Sequence, residues 1–502
     1  MTVRNSVTPR AATDVSNYDI ETDVLVVGYG AAGASAAFEA ARTGARVRVL
    51  DRAGGAGGAS AMSGGEIYLG GGTPIQLACG FDDTPEDMAA FLTAALGPSA
   101  DPAKIAEYSS GSVEHFQWLV DRGVPFKPSM WDAPTWVPPT DDGLMWLGEN
   151  SWPFTELAKP APRGHRPTAK DFGGNLLMEC LAGAAEKVGA ETLFDTYVTR
   201  LVVADDRTVV GAVARRYGRE ITIRALRGVV LTTGGFVDND AMLADHAPQL
   251  LGHTKVSAGT DDGSGIRMAQ ALGASVRHMG AGQVGMSLIP GLAARGMVVN
   301  ARGQRFMNED TYPGRIGQAA LYRQNMGGAW AGGDTAVWVI VDETGFEDVP
   351  APQRWGVQPT HVAETPEELE RLAGLPAGSL VDTIARYNEF AVHGTDLDLH
   401  KAQRWLRPLT PPLAAIDVKA GIRPPSESGD RRGTGASVFT LGGLHTDLDG
   451  HVLDHDGYPI GGLFAAGRAA NGLHGFGYIS GTSLGDGTFF GRRAGTAAAR
   501  NL

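Results

Sequence analysis

The chain has 502 residues, too long for a single core, and implies two or three domains. Its 43% hydrophobic and 20% charged residues are those of a globular protein, and a net charge of −13 argues against nucleic acid or an anionic membrane surface as partner. Only two cysteines occur, Cys79 and Cys180, which excludes a disulfide framework, and no apolar run reaches the length of about 18 residues that a transmembrane helix needs, so a cytoplasmic protein is expected.

Residues 1–18 are polar, lack the apolar core of a secretion signal, and are expected to form a disordered arm. Val24-Leu25-Val26-Val27 reads as a buried strand. Gly28-Tyr29-Gly30-Ala31-Ala32-Gly33 reads as a glycine turn opening a helix that runs to Arg42, and Val47-Arg48-Val49-Leu50 as a second strand leading to Asp51 and Arg52. Gly28 suits the tight turn, Gly30 the approach of a pyrophosphate, and Gly33 the close packing of helix on strand. The helix start at Ala31 and Ala32 presents unpaired N–H groups and a positive dipole end to phosphates. Asp51, 18 residues past Gly33, stands where a ribose hydroxyl is bound. The pattern predicts an ADP-containing dinucleotide; the alternative is a purely structural glycine turn.

Gly54 to Gly65 is either a flexible linker or a groove in which a flat ligand lies against main chain. The groove reading makes Ala59, Ser60, Ser63, Gly64 and Gly65 candidate cofactor contacts. Helices are predicted over 85–97 and 103–122 from their Asp, Thr and Pro start signals. Residues 123–164 hold eight prolines and four of the nine tryptophans, and read as an ordered cover over an apolar cavity or as a packed interdomain loop.

A helix at 175–188 precedes strands near 192–204, 209–216 and 220–225, the first of which carries Val198. The apolar strand Gly228–Leu231 ends in small residues that include Thr233 and Gly234, a place where backbone can approach a cofactor. Thr260–Gly265, with Asp262, reads as the capping loop of a helix at 266–272. From 278 to 439 the glycine-rich sheet pattern stops, which predicts an inserted domain with helices at 364–372 and 380–392. The pattern returns at 461–468, with Gly467 and Arg468, and a last helix opens at Thr482-Ser483-Leu484. The fold class expected is α/β, a two-dinucleotide-binding-fold flavoprotein. Its Rossmann-like FAD domain would span 19–277 and 440–502, and an α+β catalytic domain would span 278–439. The C-terminal helix start would direct its dipole at the O2 side of a flavin ring.

These segments, with Val299–Glu309, resemble the fumarate reductase/succinate dehydrogenase flavoprotein family over nearly the whole chain after its first 20 residues. The resemblance implies FAD, held non-covalently, since the glycine-rich segment has no histidine to tether it. Two departures are Asp51, where glutamate is usual, and Arg468, where many members carry glutamate.

The family's dicarboxylate enzymes use an arginine proton donor and a histidine and arginine that clamp carboxylates, as bidentate arginine suits. Here Tyr312 or Pro313 falls near the donor position, Phe439 replaces the clamp histidine, and Phe476–Ser480 holds no arginine. Arg315, close to Tyr312, is the residue that could restore a charge. The exchange suits a neutral apolar ketone and resembles the family's 3-ketosteroid dehydrogenase branch. Glu66–Gln76, Cys79–Asp83, Pro162–His165, Glu309–Tyr312, Gly314–Gln318 and Gly477–Gly487 carry that likeness.

The resemblance implies that Tyr478, Ser480 and Tyr312 are catalytic and that a 3-keto-5α-steroid is desaturated to the 4-ene-3-ketone. Electrons would pass to an unidentified acceptor. Desaturation at C1, another cyclic ketone, a fumarate-type reductase and a non-catalytic flavin protein are the alternatives. The assignment of base and donor among the three hydroxyls stays open. Residues 420–436 look like an insertion.

Overall fold

A computed structural model describes residues 7–320, 336–418 and 436–501. The expected insertion at 420–436 lies, except for Ala436, outside the described residues.

Four successive apolar residues, Val24 to Val27, have no polar face to offer water, so the second half of the strand Ile20–Val27 is buried on both sides within a nine-stranded sheet. It pairs in parallel with Val47–Leu50, in the register Val24↔Val47 and Val27↔Leu50, and on its other edge with Arg219–Leu231. The C-terminal strand Pro459–Ala465 joins the same long strand in parallel, with Val229 opposite Leu463. Chain ends more than 400 residues apart therefore meet in one sheet.

The helix Ala31–Arg42 lies against the last helix, Thr482–Arg500. Gly491 and Gly495 make this possible: a Cβ at either would collide with the backbone carbonyls of Ala32 and Ala36. Small residues facing each other bring the two helix backbones into contact and stack both on one face of the sheet.

An inserted sheet, in the order Met297–Val299, Trp338–Asp342, Leu413–Asp417 and His361–Ala363, carries the helices Pro366–Leu372 and Ser379–His393. Between it and the main sheet, Gly282–Met286 pairs antiparallel with Ala436–Thr440, placing Gln283 opposite Phe439. The fold is thus an α/β FAD domain with an inserted domain.

Several sequence expectations change. The arm expected to be disordered over 1–18 is structured from Val7 onward: Arg10–Ala11 pairs with Val202–Val203, and Arg10 bonds Glu220 at 2.9 Å. Residues 1–6 lie outside the described set. The helix expected at 103–122 is two helices, Pro102–Ser110 and Ser112–Asp121, divided at Gly111, where a Cβ would strike the Phe489 ring. The strand expected at 192–204 divides around Asp195, which has a positive φ of 53°. The strands expected at 220–225 and 228–231 are one strand with a register shift between Ala225 and Gly228. The 123–164 segment is ordered around short strands, Met130–Trp131, Leu144–Met145 and Gly164–His165, that join Ile67–Tyr68 in a four-stranded sheet. No described helix is long and apolar enough to cross a membrane.

Candidate active site and cofactor cavity

The glycine turn after Val27 is fixed by its neighbours. Gly28 has φ +103°, and a Cβ there would collide with the Thr232 carbonyl. Gly33 lies against the Gly28 carbonyl, so it packs helix on strand and does not line the cavity. Gly30 caps the helix without a side-chain bond, which leaves that N-terminus open apart from Ala31 N–H, which donates to Ser60 Oγ at 3.2 Å.

Asp51 accepts from the Tyr29 and Ala53 N–H groups at 2.6 and 2.8 Å, and burial pushes its carboxyl up. Arg52 pairs with Asp262 at 2.8 Å and lies 4.9 Å over the Tyr197 ring.

One cavity runs from this turn past Asp51 and Arg52, along Ala59, Ser60, Ser63 and Gly64, beside Val198, Thr233 and Gly234, and on to Gly467, Arg468, Ser483 and Leu484. Among the sequence candidates, Gly33, Gly65, Asp262 and Thr482 do not line it. Gly65 sits against the Gly173–Gly174 backbone. Asp262 turns to Arg52 and accepts from the Ser264 N–H at the start of the helix Ser264–Gln270. Thr482 is buried, its hydroxyl donating to the Ile479 carbonyl.

The wall fits an extended dinucleotide with a flat ring. At Gly28, Gly30, Ala31, Ala32, Ser60, Ser63, Gly64, Gly234 and Gly467 it is backbone and small side chains, and the buried Thr233 hydroxyl has no hydrogen-bond partner among the described residues. The helix that begins after Gly481 (φ +82°) has no side-chain cap, and Ser483 and Leu484 of its first turn line the cavity.

Tyr312, Tyr478 and Ser480 line the same cavity. Tyr312 Oη and Ser480 Oγ are 2.9 Å apart, and either oxygen can be the donor. Burial pushes the Tyr478 phenol up to about 12 and the Tyr312 phenol well above its ordinary value, so both stay protonated near neutral pH.

Tyr478 is seated between rings. Phe439 meets it edge-on at 5.3 Å, and His474 stacks on it at 5.5 Å. Because the Thr482 hydroxyl proton goes to Ile479, its oxygen accepts from His474 Nε2 at 2.8 Å. His474 is therefore the Nε2–H tautomer, and burial pushes its pKa down to about 3, which keeps it neutral. Trp136, from the 123–164 segment, donates to the Leu288 carbonyl at 2.9 Å and meets Tyr312 edge-on at 6.2 Å.

Arg315 does not line this cavity. It donates to Thr311 Oγ1 at 2.9 Å and lies 4.5 Å over the Phe154 ring. The carboxylate clamp is not restored from that side. Sequence reasoning missed Glu66, Asp261 and Gln283, which also line the cavity. Glu66 follows the glycine groove directly, and that adjacency was a usable signal. Asp261 could not be told from Asp262, because which of two neighbouring aspartates faces a cavity depends on the loop conformation.

The family model described as the FAD binding domain matches residues 23–484. The chain is similar to the crystal structure of 3-ketosteroid-Δ4-(5α)-dehydrogenase from Rhodococcus jostii RHA1 in complex with 4-androstene-3,17-dione. The identity is 50%, covering 98% of this chain and 100% of that one, with a TM-score of 0.91. It is 27% identical to a 3-oxo-5-alpha-steroid 4-dehydrogenase of Comamonas testosteroni, over 91% of this chain and 94% of the relative. It is 28% identical to a probable fumarate reductase of Shewanella frigidimarina, over 96% of this chain and 75% of the relative.

Proposed function

Because this chain belongs to the fumarate reductase/succinate dehydrogenase family of FAD-binding flavoproteins, and is an FAD-dependent oxidoreductase of its 3-ketosteroid dehydrogenase branch, we propose that it desaturates a 3-keto-5α-steroid to the 4-ene-3-ketone. The observation that carries this reading is the 2.9 Å Tyr312–Ser480 hydrogen bond on the cavity wall that also holds Tyr478. Three hydroxyls stand where a dicarboxylate enzyme needs cations. The aromatic rings of Trp136 and Phe439 beside them suit an apolar ring system. The steroid dehydrogenases among the similar proteins support the same substrate class.

Desaturation beside a ketone removes a proton from the α-carbon and a hydride from the β-carbon. Bound FAD supplies the hydride acceptor; Gly30, Ala31, Ser60, Thr233, Ser483 and the open helix start at Leu484 would hold it. Tyr478, kept protonated by burial, donates a hydrogen bond to the 3-keto oxygen and stabilises the developing enolate. One such donor contributes roughly 3–4 kcal/mol. Ser480 Oγ takes the α-proton as its own proton passes to Tyr312 Oη. A positioned base of this kind contributes about 10²–10⁴-fold. The buried phenol of Tyr312 resists standing as a phenolate, so it works as a relay and the proton moves onward to solvent. Free Cys79 and Cys180 support a reducing cytoplasm as the setting.

The test is anaerobic mixing of the yellow holoenzyme with 5α-androstane-3,17-dione, cyclohexanone and fumarate. Bleaching of the flavin by the steroid alone, with 4-androstene-3,17-dione as product, is expected. A 1-ene product, or oxidation of the pre-reduced flavin by fumarate, overturns the proposal.

A further inference from the structure

Arg468 is not used by the chemistry above, yet it lines the cavity. Its Nη2 pairs with Asp261 Oδ2 at 2.7 Å. Its guanidinium lies 5.1 Å from the centroid of Phe439, the ring that meets Tyr478 edge-on. Its Nη1 is buried and has no hydrogen-bond partner among the described residues. A buried guanidinium N–H left without an acceptor carries its full desolvation cost.

Both members of the ion pair line the cavity, so a ligand there is the partner available to that N–H. Room for the Asp261 carboxylate exists because Gly234 has no side chain: a Cβ there would collide with Asp261 Oδ1. The pair therefore joins the cofactor half of the cavity to the wall that seats Tyr478.

We propose that Arg468 donates through Nη1 to bound FAD and, opposed by Asp261, tunes its reduction potential while holding Phe439 against Tyr478. A cation beside the cofactor favours the more negative reduced form, and an anion beside it opposes that form. Removing each partner should therefore move the potential in opposite directions. A loosened fold has no reason to do that. The proposal depends on FAD and not on which ketone is the substrate, so it can stand or fall apart from the steroid reading.

The experiment measures the flavin midpoint potential and the affinity for sulfite in holoenzyme carrying Arg468→Met, Arg468→Lys or Asp261→Asn. Arg468→Met is expected to lower the equilibrium constant for two-electron reduction about tenfold, close to 30 mV, and to weaken sulfite binding similarly. Asp261→Asn is expected to shift both quantities the other way, and Arg468→Lys to stay near wild type because it keeps the charge. Unchanged potentials, shifts of the same sign in Arg468→Met and Asp261→Asn, or weaker FAD retention at constant potential each overturn the proposal. Should Arg468→Met fail to hold FAD, Asp261→Asn alone decides: a raised potential supports the proposal, and an unmoved one overturns it.

Discussion

Tyr312 and Ser480 are separated by 168 positions in the chain and by 2.9 Å between their hydroxyl oxygens. One comes from the inserted segment, just before the helix Pro313–Gln318, and the other from the loop before the last helix. If they act as one relay, their substitutions must not add. Tyr312→Phe and Ser480→Ala are each expected to lower kcat roughly 10²-fold, and the double variant to be little worse than the poorer single one. Stopped-flow flavin reduction in the four proteins of the cycle measures this. Additive losses would separate the two residues.

Tyr478→Phe removes the proposed donor to the ketone and leaves the ring stacked on His474 and edge-on to Phe439. FAD content should be unchanged, while turnover should fall roughly 10²–10³-fold, the usual effect of deleting one such donor. Turnover within threefold of wild type would remove Tyr478 from the mechanism.

Two glycines of the fingerprint should fail differently. A methyl at position 33 meets the Gly28 carbonyl, so Gly33→Ala should lower Tm or prevent folding. A methyl at position 30 meets nothing closer than Ser60 Oγ at 3.3 Å, so Gly30→Ala should fold. It should nevertheless lose FAD, because the methyl occupies the approach of the pyrophosphate. Circular dichroism and flavin content after gel filtration distinguish the two outcomes.

Burial pushes the Glu149 carboxyl from 4.5 up to about 7, although it accepts from the Leu147 and Arg163 N–H groups. A folded state that binds a proton more tightly than the unfolded one loses stability as pH rises through the interval between the two values. Relative to Glu149→Gln, wild-type Tm should therefore fall as pH goes from about 4.5 to about 7. A difference independent of pH would show that Glu149 is ionised throughout.

The nucleotide end of the site was legible from local sequence. Turn glycines, a helix start and an acid after the second strand are contiguous, and each residue type is dictated by backbone sterics or by phosphate charge. Local pattern does not resolve neighbours that compete, as with Asp261 and Asp262, whose directions are set by pairing with Arg468 and Arg52, or a glycine that packs on distant backbone, as Gly65 does on Gly173–Gly174. The order of the N-terminal segment was also missed. Its polar composition offers no core, and its stability comes from edge pairing with Val202–Val203.

Periodicity and glycine spacing are local properties of the chain, and they carried the α/β class and the dinucleotide fingerprint, whereas the three hydroxyl residues came from the family resemblance. That Tyr312 bonds Ser480, that Arg315 turns away to Thr311 and Phe154, and that Arg468 is bound to Asp261 emerges only once the chain is packed. The physical reason is that Tyr312 with Ser480, Arg315 with Phe154 and Arg468 with Asp261 each join segments far apart in the chain. The packing of Gly491 and Gly495 on the backbone of Ala32 and Ala36 brings the C-terminal helix beside the N-terminal fingerprint, and no local pattern records a contact of that kind.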